Sequence, residues 1–438
     1  MLIPGIGRIN IMSKIVSIIL VFCLIAVSCE QINEEIAFSI DSPGLINGIT
    51  KVSLSSQQQD YVEKGNEFNL NLLRELYSEK SLVVSPLSVQ MALGMTLNGA
   101  EGKTAQEIIN TLGYGEKGQN FVNEYFKILI EQLPSIDKSV TLRIANSVIS
   151  RTGFELNNGF INIMKHYYYA PAATISFDRD NAVKPINDWV SRNTEGKIYP
   201  FIESIDPYVC CLLLNTLYLK ARWTKIGNDP MFFPEETIKN SLFTIDKQRQ
   251  TKVDYLKTKG AYLYKETESF QVLALPYSTG KYYMYFLLPK EQNITAVKDI
   301  IEEVSNKGLN QTLQGMQDAL VRVKIPIFSI NSYFELKNTL KQLGIKTAFD
   351  ESTADFSSMF NKTVKNVSIG DVLQKTSIEI AEWGTEAASV SAVKIVLPTS
   401  DLNPVQYNDF YADHPFVFII ADSDSKVILF EGVFSGVE

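Results

Sequence analysis

The chain has 438 residues, 45% hydrophobic, 21% charged and 11% aromatic, the balance of an ordinary globular protein with enough apolar material for a sizeable core. Forty-one Lys and Arg against 49 Asp and Glu leave a net charge of −8, so no broad cationic surface can neutralise a phosphate backbone and nucleic acid is not an expected partner. Cys23, Cys29, Cys210, Cys211, His166 and His414 complete the Cys and His inventory, too few for a disulfide framework or an ordinary zinc site, and no metal or cofactor is expected.

The first element in chain order is an export signal. Lys14 precedes a mostly apolar run from Ile15 to Val27, 13 residues long and too short to cross a bilayer as a mature helix. The run ends in Ala26-Val27-Ser28-Cys29 and gives way at once to polar Glu30-Gln31-Ile32-Asn33-Glu34-Glu35. This resembles a bacterial lipoprotein signal, in which the Cys becomes the lipidated first residue; a plain secretory peptide with an incidental Cys29 is the alternative. Residues 1–28 are therefore read as a signal peptide and the protein as exported: a cell-surface or periplasm-facing lipoprotein held by a lipid anchor, or otherwise secreted. The mature chain keeps 39 basic against 49 acidic residues.

Residues 29–59 are Ser-, Asn- and Gln-rich and read as a tether, with the folded domain running from 60 to 438. Phe68, Leu72, Leu73, Leu76 and Tyr77 recur at helical spacing, and Leu87 to Leu97 is apolar on most faces, the pattern of a buried helix. Leu212–Leu219, Tyr282–Leu288 and His414–Ala421 are short aromatic and branched runs that read as core strands. Val321, Val323, Ile325 and Ile327 alternate with polar residues as in a half-buried strand, and Leu336, Leu340 and Leu343 mark a helix stopped at Gly344. Asp422-Ser423-Asp424-Ser425 is a turn closing a final hairpin between Phe416–Ala421 and Lys426–Phe430. The class is α+β, and without internal repeats or a Pro- or Gly-rich linker after residue 60 one large domain is the simpler count.

Catalytic chemistry is poorly represented. G-x-S-x-G, H-E-x-x-H and G-x-G-x-x-G with its following acid are all absent. Gly102-Lys103-Thr104 has the tail of a phosphate loop, but position 97 is Leu where Gly is required, and it is read as a turn. His166 and His414 are read as hydrogen-bonded structural residues, and Cys210 and Cys211, inside an apolar stretch, as buried and inert. Four N-x-[ST] triplets begin at Asn293, Asn310, Asn361 and Asn366, with little weight as glycosylation sites if the exporter is bacterial. The balance shifts from catalysis toward binding.

Gly384 to Leu397 reads GTEAASVSAVKIVL. Thr385, Ala387, Ser389, Ser391, Val393, Ile395 and Leu397 would share one uncharged face of a strand, small at its start, while Glu386 and Lys394 fall on the other. Yet a polar stretch from Pro398 to Pro404 follows, typical of an exposed loop. The segment is either a loop with a latent strand pattern or an ordinary edge strand followed by a turn.

Ile378-Glu379-Ile380-Ala381-Glu382-Trp383-Gly384-Thr385-Glu386-Ala387-Ala388 resembles the hinge of the serpins. Similar blocks recur in that family's order across residues 60–438: Val83 to Ser88, Gly99 to Thr104, Ile186 to Val190 with Thr194 to Ile198, Leu214 to Lys220 with Trp223, Leu275 to Tyr277, Phe286 to Pro289, Leu343 to Ile345, Ala354 to Ser357, and Asp413 to Phe418. The resemblance implies a single domain of three β-sheets and eight or nine helices, with an exposed reactive-centre loop at about 384–408. It implies a monomeric suicide-substrate inhibitor of serine endopeptidases, with cysteine endopeptidases as a further target class, and with no catalytic residues of its own. Such an inhibitor is cleaved only to the covalent acyl-enzyme and then inserts the cut loop into its main sheet. Insertion of about ten residues adds hydrogen bonds of roughly 0.5–1.5 kcal/mol each, a total of order 5–15 kcal/mol available to distort the attached protease.

By the same resemblance the hinge comprises Gly384, Thr385, Glu386, Ala387, Ala388, Ser389, Val390 and Ser391. Ser85, Ser88, Asn215 and Gln374 belong to the shutter beneath the sheet, Gln374 standing where many animal members have His, and Trp223 to the breach where insertion begins. Trp383 stands where the hinge usually carries Glu, and Val390 is bulkier than the usual Ala. Spacing from Glu382 sets the reactive bond at Pro398-Thr399, an unusual choice because proline fixes the backbone on the acyl side; Val396-Leu397, Thr399-Ser400 and Lys394-Ile395 are alternatives. The helix region Phe121 to Leu133 carries few basic residues, so a heparin-type activator is not expected. A non-inhibitory binding or carrier protein on the same fold is the runner-up, and a hydrolase with an unrecognised site a distant third.

Overall fold

The computed structural model describes residues 43–115, 118–361, 364, 366–385 and 406–436, together with Phe38. Among these, nine α-helices form: α1 (Ser56–Leu76), α2 (Pro86–Leu97), α3 (Gly102–Leu112), α4 (Gln119–Gln132), α5 (Asn158–Tyr168), α6 (Lys184–Asn193), α7 (Ile294–Lys307), α8 (Leu309–Leu313) and α9 (Lys337–Leu343). The Ser55 hydroxyl accepts from the Gln58 amide at 3.2 Å while Gln58 Oε1 accepts from the Ser55 amide at 3.0 Å. This capping box starts α1 ahead of the expected boundary at Asp60. Upstream of it Val52 is buried and the Ile46 amide donates to Ser135 Oγ at 2.9 Å, so residues 43–55, expected within a tether, lie against the domain. α2 opens on Pro86, whose missing N–H costs nothing at a first helical position, and is buried around nearly its whole circumference.

The strands in chain order are β1 (Leu82–Val84), β2 (Thr141–Arg151), β3 (Ala172–Ile175), β4 (Cys211–Arg222), β5 (Ile238–Thr244), β6 (Gln250–Glu266), β7 (Phe270–Tyr277), β8 (Tyr282–Pro289), β9 (Gln317–Pro326), β10 (Phe328–Glu335), β11 (Leu373–Ala381), β12 (Gly384–Thr385), β13 (Asn408–Tyr411), β14 (Phe416–Asp422) and β15 (Ile428–Phe434). They make two sheets among the described residues. One has six strands in the order β10-β11-β12-β4-β2-β3; the other has nine, ordered β1-β15-β14-β8-β7-β6-β9-β13 with β5 on β6. Three sheets were expected. The count falls to two because β6 runs unbroken for 17 residues, pairing with β5 up to Tyr255, with β9 from Tyr255 to Tyr264 and with β7 from Leu263 onward.

The main core lies between the two sheets, where Leu217, Leu219, Ile378 and Ile380 of the six-stranded sheet meet Phe418, Ile420 and Phe430 of the other around α2. Phe328 of β10 stacks on Phe434 of β15 with ring centroids 4.7 Å apart. α1 and α7 cover the far side of the nine-stranded sheet with Leu70, Leu73, Ile301 and Val304. α6 crosses the outer face of the six-stranded sheet and buries Ile186, Trp189 and Val190 against Ala145, Ile149 and Leu214.

Candidate functional site: an unfinished sheet and its hinge

β11 ends in a tight reversal at Glu382-Trp383, after which β12 turns back antiparallel, with Ala381 opposite Gly384 and Ile380 opposite Thr385. On its other side β12 pairs with β4, Gly384 opposite Arg222 and Thr385 opposite Ala221. Position 384 requires glycine twice over. Its φ is +127°, and a Cβ there would sit 2.0 Å from the Ala221 carbonyl oxygen. Trp223 fastens the reversal: its indole Nε1 donates to the Ala381 carbonyl at 2.9 Å and its backbone N–H to the Trp383 carbonyl at 3.1 Å. Its ring stacks on Tyr277 at 4.5 Å and 8°. The Tyr277 hydroxyl lies 2.8 Å from Thr385 Oγ1, and burial pushes the tyrosine's pKa above its ordinary range, so it stays a neutral hydrogen-bonding group. Gly384 and Thr385, expected at the start of an exposed loop, are thus buried and paired because the reversal delivers them between two strands.

Beyond Thr385 no ladder joins β11 to β4 among the described residues. A cleft separates them, lined by Leu217–Leu219 of β4 and Thr376–Glu379 of β11, with Thr385 at one end and Ile420 and Phe430 as its floor. The room in it, about 30 Å³, suits about one water, so a further strand would have to spread the sheet. The segment after α6 straps the mouth. Glu195 ties it to the β2–β4 side, with Arg143 at 3.0 Å and Lys220 at 3.4 Å and the Tyr218 hydroxyl donating at 3.0 Å. Lys197 ties it to Glu379 of β11 at 3.0 Å. Thr194, Lys197 and Ile198 of this strap line the cleft from above.

The shutter residues separate into two groups. Gln374 Nε2 donates to the Ser85 carbonyl at 2.7 Å; Ser85 Oγ lies 3.0 Å from Ser88 Oγ and donates to the Leu429 carbonyl at 3.0 Å. Asn215 is not among their partners. Its Nδ2 donates across the ladder to Asn146 Oδ1 at 2.7 Å and lies 3.6 Å from the Met91 sulfur. Both amides keep a buried carbonyl oxygen, Gln374 Oε1 and Asn215 Oδ1, without a partner, although buried acceptors are ordinarily satisfied.

Glu386, Ala387, Ala388, Ser389, Val390 and Ser391 of the hinge lie outside the described residues, as do Lys394, Val396, Leu397, Pro398, Thr399 and Ser400 of the candidate reactive bonds, the signal segment 1–28, and Cys29. His414 is a structural residue as expected, buried with Nε2 2.7 Å from the Pro289 carbonyl and Nδ1 3.2 Å from Asp413. Cys210 and Cys211 are free and only half-buried, where full burial was expected, and desolvation raises both thiols above their usual range, which disfavours the thiolate. Gly102 opens α3 where a turn was expected. Among the described residues no three His, Cys, Asp or Glu converge as metal ligands, and no helix is long and apolar enough to cross a membrane. Nothing in the sequence marks Tyr277, Glu195 and Lys197 as members of the site, though all three lie in sequence blocks that carry the resemblance. Their partners are distant in sequence, and no local pattern announces them.

Residues 63–436 match the model of the family described as Serpin (serine protease inhibitor). The chain is 31% identical to intracellular coagulation inhibitor 2 of Tachypleus tridentatus, over 84% of this chain and 88% of that one. The structure of the thermophilic serpin tengpin in its native state superposes with a TM-score of 0.78 at 26% identity, covering 90% of this chain and 97% of that one. Human thyroxine-binding globulin complexed with thyroxine gives 0.75 at 26% identity, covering 87% and 99%. With its hinge turned back between two strands of an unfinished sheet, this chain belongs to the serpin family.

Proposed function

We propose that this chain is a suicide-substrate inhibitor of serine endopeptidases that traps the acyl-enzyme by drawing its cleaved loop into the six-stranded sheet. The observation that carries the reading is the two-residue strand β12, already paired on both sides at the head of the cleft. Its register continued downward would set Ala387 between Leu219 and Ile378, Ser389 between Leu217 and Thr376, and Ser391 between Asn215 and Gln374. Ser391 would then bring a hydroxyl donor to one of the two buried carbonyl oxygens that lack a partner. Each step would form new ladder hydrogen bonds on both edges, and the small side chains on this face limit how far the sheet has to spread.

The test is a gel. Incubation with elastase-, trypsin- and subtilisin-like endopeptidases is expected to give an adduct that survives boiling in detergent with at least one of them, and protein clipped in the loop is expected to melt well above the intact form. Identical melting temperatures and no adduct would sink the proposal. A carrier on the same fold, which has the likeness to thyroxine-binding globulin in its favour, would show a clean cut without an adduct. The inhibitor acts in this reading as an exported monomer, held to a membrane through a lipid on Cys29 or secreted; mass spectrometry of the mature N-terminus distinguishes the two.

A further inference from the structure

The outward face of β6, β9 and β13 carries charge against the trend of a protein with net charge −8. Lys257 stands opposite Lys324, and Lys259 opposite Arg322. Like charges directly opposed across a ladder destabilise a sheet, and here two such pairs are adjacent. On the next strand Asp409 is opposite Arg322 and Tyr411 opposite Lys324. Arg322 is held in a forked pair by Asp409 at 2.6 and 3.1 Å, and Lys324 is paired with Asp413 at 2.9 Å. The cations of β9 are thereby fixed in place. Lys257 and Lys259 are exposed and take part in no ion pair among the described residues. Leu320 and Tyr411, 39% and 38% exposed, give the same face an apolar component.

Its position supplies the partner. β13 begins at Asn408, so segment 386–405, which contains every candidate reactive bond, is joined covalently to the edge of this face. We propose that Lys257 and Lys259, framed by Leu320 and Tyr411, form a docking surface for an acidic patch on the endopeptidase that attacks the loop. The proposal rests on the inhibitor reading. The partner is identified by its charge: steering between opposite patches raises association rates by about 10- to 1,000-fold and is screened by salt.

The experiment measures association of the intact protein with an acidic endopeptidase whose nucleophilic serine has been replaced by alanine, from about 0.05 to about 0.5 M NaCl. For the wild type the association rate is expected to fall by about tenfold or more across that range. The double variant Lys257→Glu, Lys259→Glu is expected to lose about tenfold in rate at the lowest salt, together with most of the salt dependence, with little change in dissociation. Lys257→Gln, Lys259→Gln should fall between the two, and unchanged melting temperatures establish that both variants fold. Equal rates and equal salt slopes for wild type and variants would overturn the proposal. So would retention of wild type but not variant on heparin at physiological salt with peptidase association unaffected, since the face would then serve a sulfated polyanion. Failure of the inhibitor reading shows separately, as docking of the inert enzyme with no detergent-stable adduct from the active one.

Discussion

The two sheets of this serpin are paired to different degrees. Along the nine-stranded sheet every neighbour from β1 to β13 is bonded to the next, whereas among the described residues the six-stranded sheet passes from β11 to β4 only through the two residues of β12. The complete sheet nonetheless contains its own defect. Glu431 of β15 is fully buried, neither carboxyl oxygen has a partner, and burial raises its pKa to about 8. It stands in one row with Val84, Ile419 and Tyr285, on the face that Leu70, Leu73, Ile301 and Val304 cover. One sheet withholds backbone pairing and the other buries an unsatisfied acid. Free energy can be kept in reserve in either way, but only the first kind can be released by moving a strand.

Thr385→Arg attacks the unfinished sheet where it has begun to close and should have the largest effect. Thr385 is buried and shares a hydrogen bond with Tyr277, so a guanidinium there would be desolvated without a counter-charge, at a cost of several kcal/mol. The variant should behave as a substrate, with more than about ten molecules cleaved for each peptidase trapped; trapping at full stoichiometry would contradict the account.

Glu431→Met probes the complete sheet. The wild-type acid has a folded pKa of about 8 against 4.5 when unfolded, so the fold holds its proton over a range in which the unfolded chain has released it. The associated stability is fully present below about pH 4.5 and is lost as pH rises through about 8. At 1.36 kcal/mol per pH unit the loss is about 3 kcal/mol by pH 7 and about 5 kcal/mol above pH 8. Tyr285, the titratable group in the same row, is itself raised by burial and stays neutral through that range. Thermal midpoints measured from pH 5 to 9 should fall with pH in the wild type and much less in Glu431→Met, which should be the more stable protein at pH 8. Parallel profiles would show that the carboxyl is satisfied after all.

Lys197→Ala loosens the strap over the cleft. The Lys197–Glu379 pair is about one-third exposed at each end, so its loss should cost under about 1 kcal/mol of stability. Peptide corresponding to the loop should nevertheless enter the sheet a few-fold faster, followed by native gel. An unchanged uptake rate would mean that the strap does not restrain the sheet.

Much of this could be read along the chain. The buried helix α2, the strands β4, β8, β9 and β14, the final hairpin and the Gly stop after α9 follow from spacing, apolar runs and turn residues, because these report contacts each element makes through its own periodicity. The hinge block located Gly384 and Thr385, and Trp223 was found at the reversal it fastens. Other features were not legible. The sheet count changed because β6 carries no proline and runs on through Gly260, and only its neighbours reveal that it serves two groups of strands. The resemblance groups Asn215 with Ser85, Ser88 and Gln374, but its side chain is taken up by Asn146, the residue that register sets opposite it.

The amino-acid order by itself determined the buried helix α2 and the core strands β4, β8, β9 and β14, that alternate residues from Thr385 to Leu397 carry no charge, and that Gly384 opens that segment, since each is a local or periodic property. Only the tertiary structure decided that, among the described residues, no ladder joins β11 to β4 below Thr385, that Lys197 and Glu195 bridge the opening, and that Glu431 is enclosed without a partner. Those outcomes depend on which groups distant parts of the chain bring to one place, and on the desolvation each group meets there, and neither is encoded in any stretch read alone.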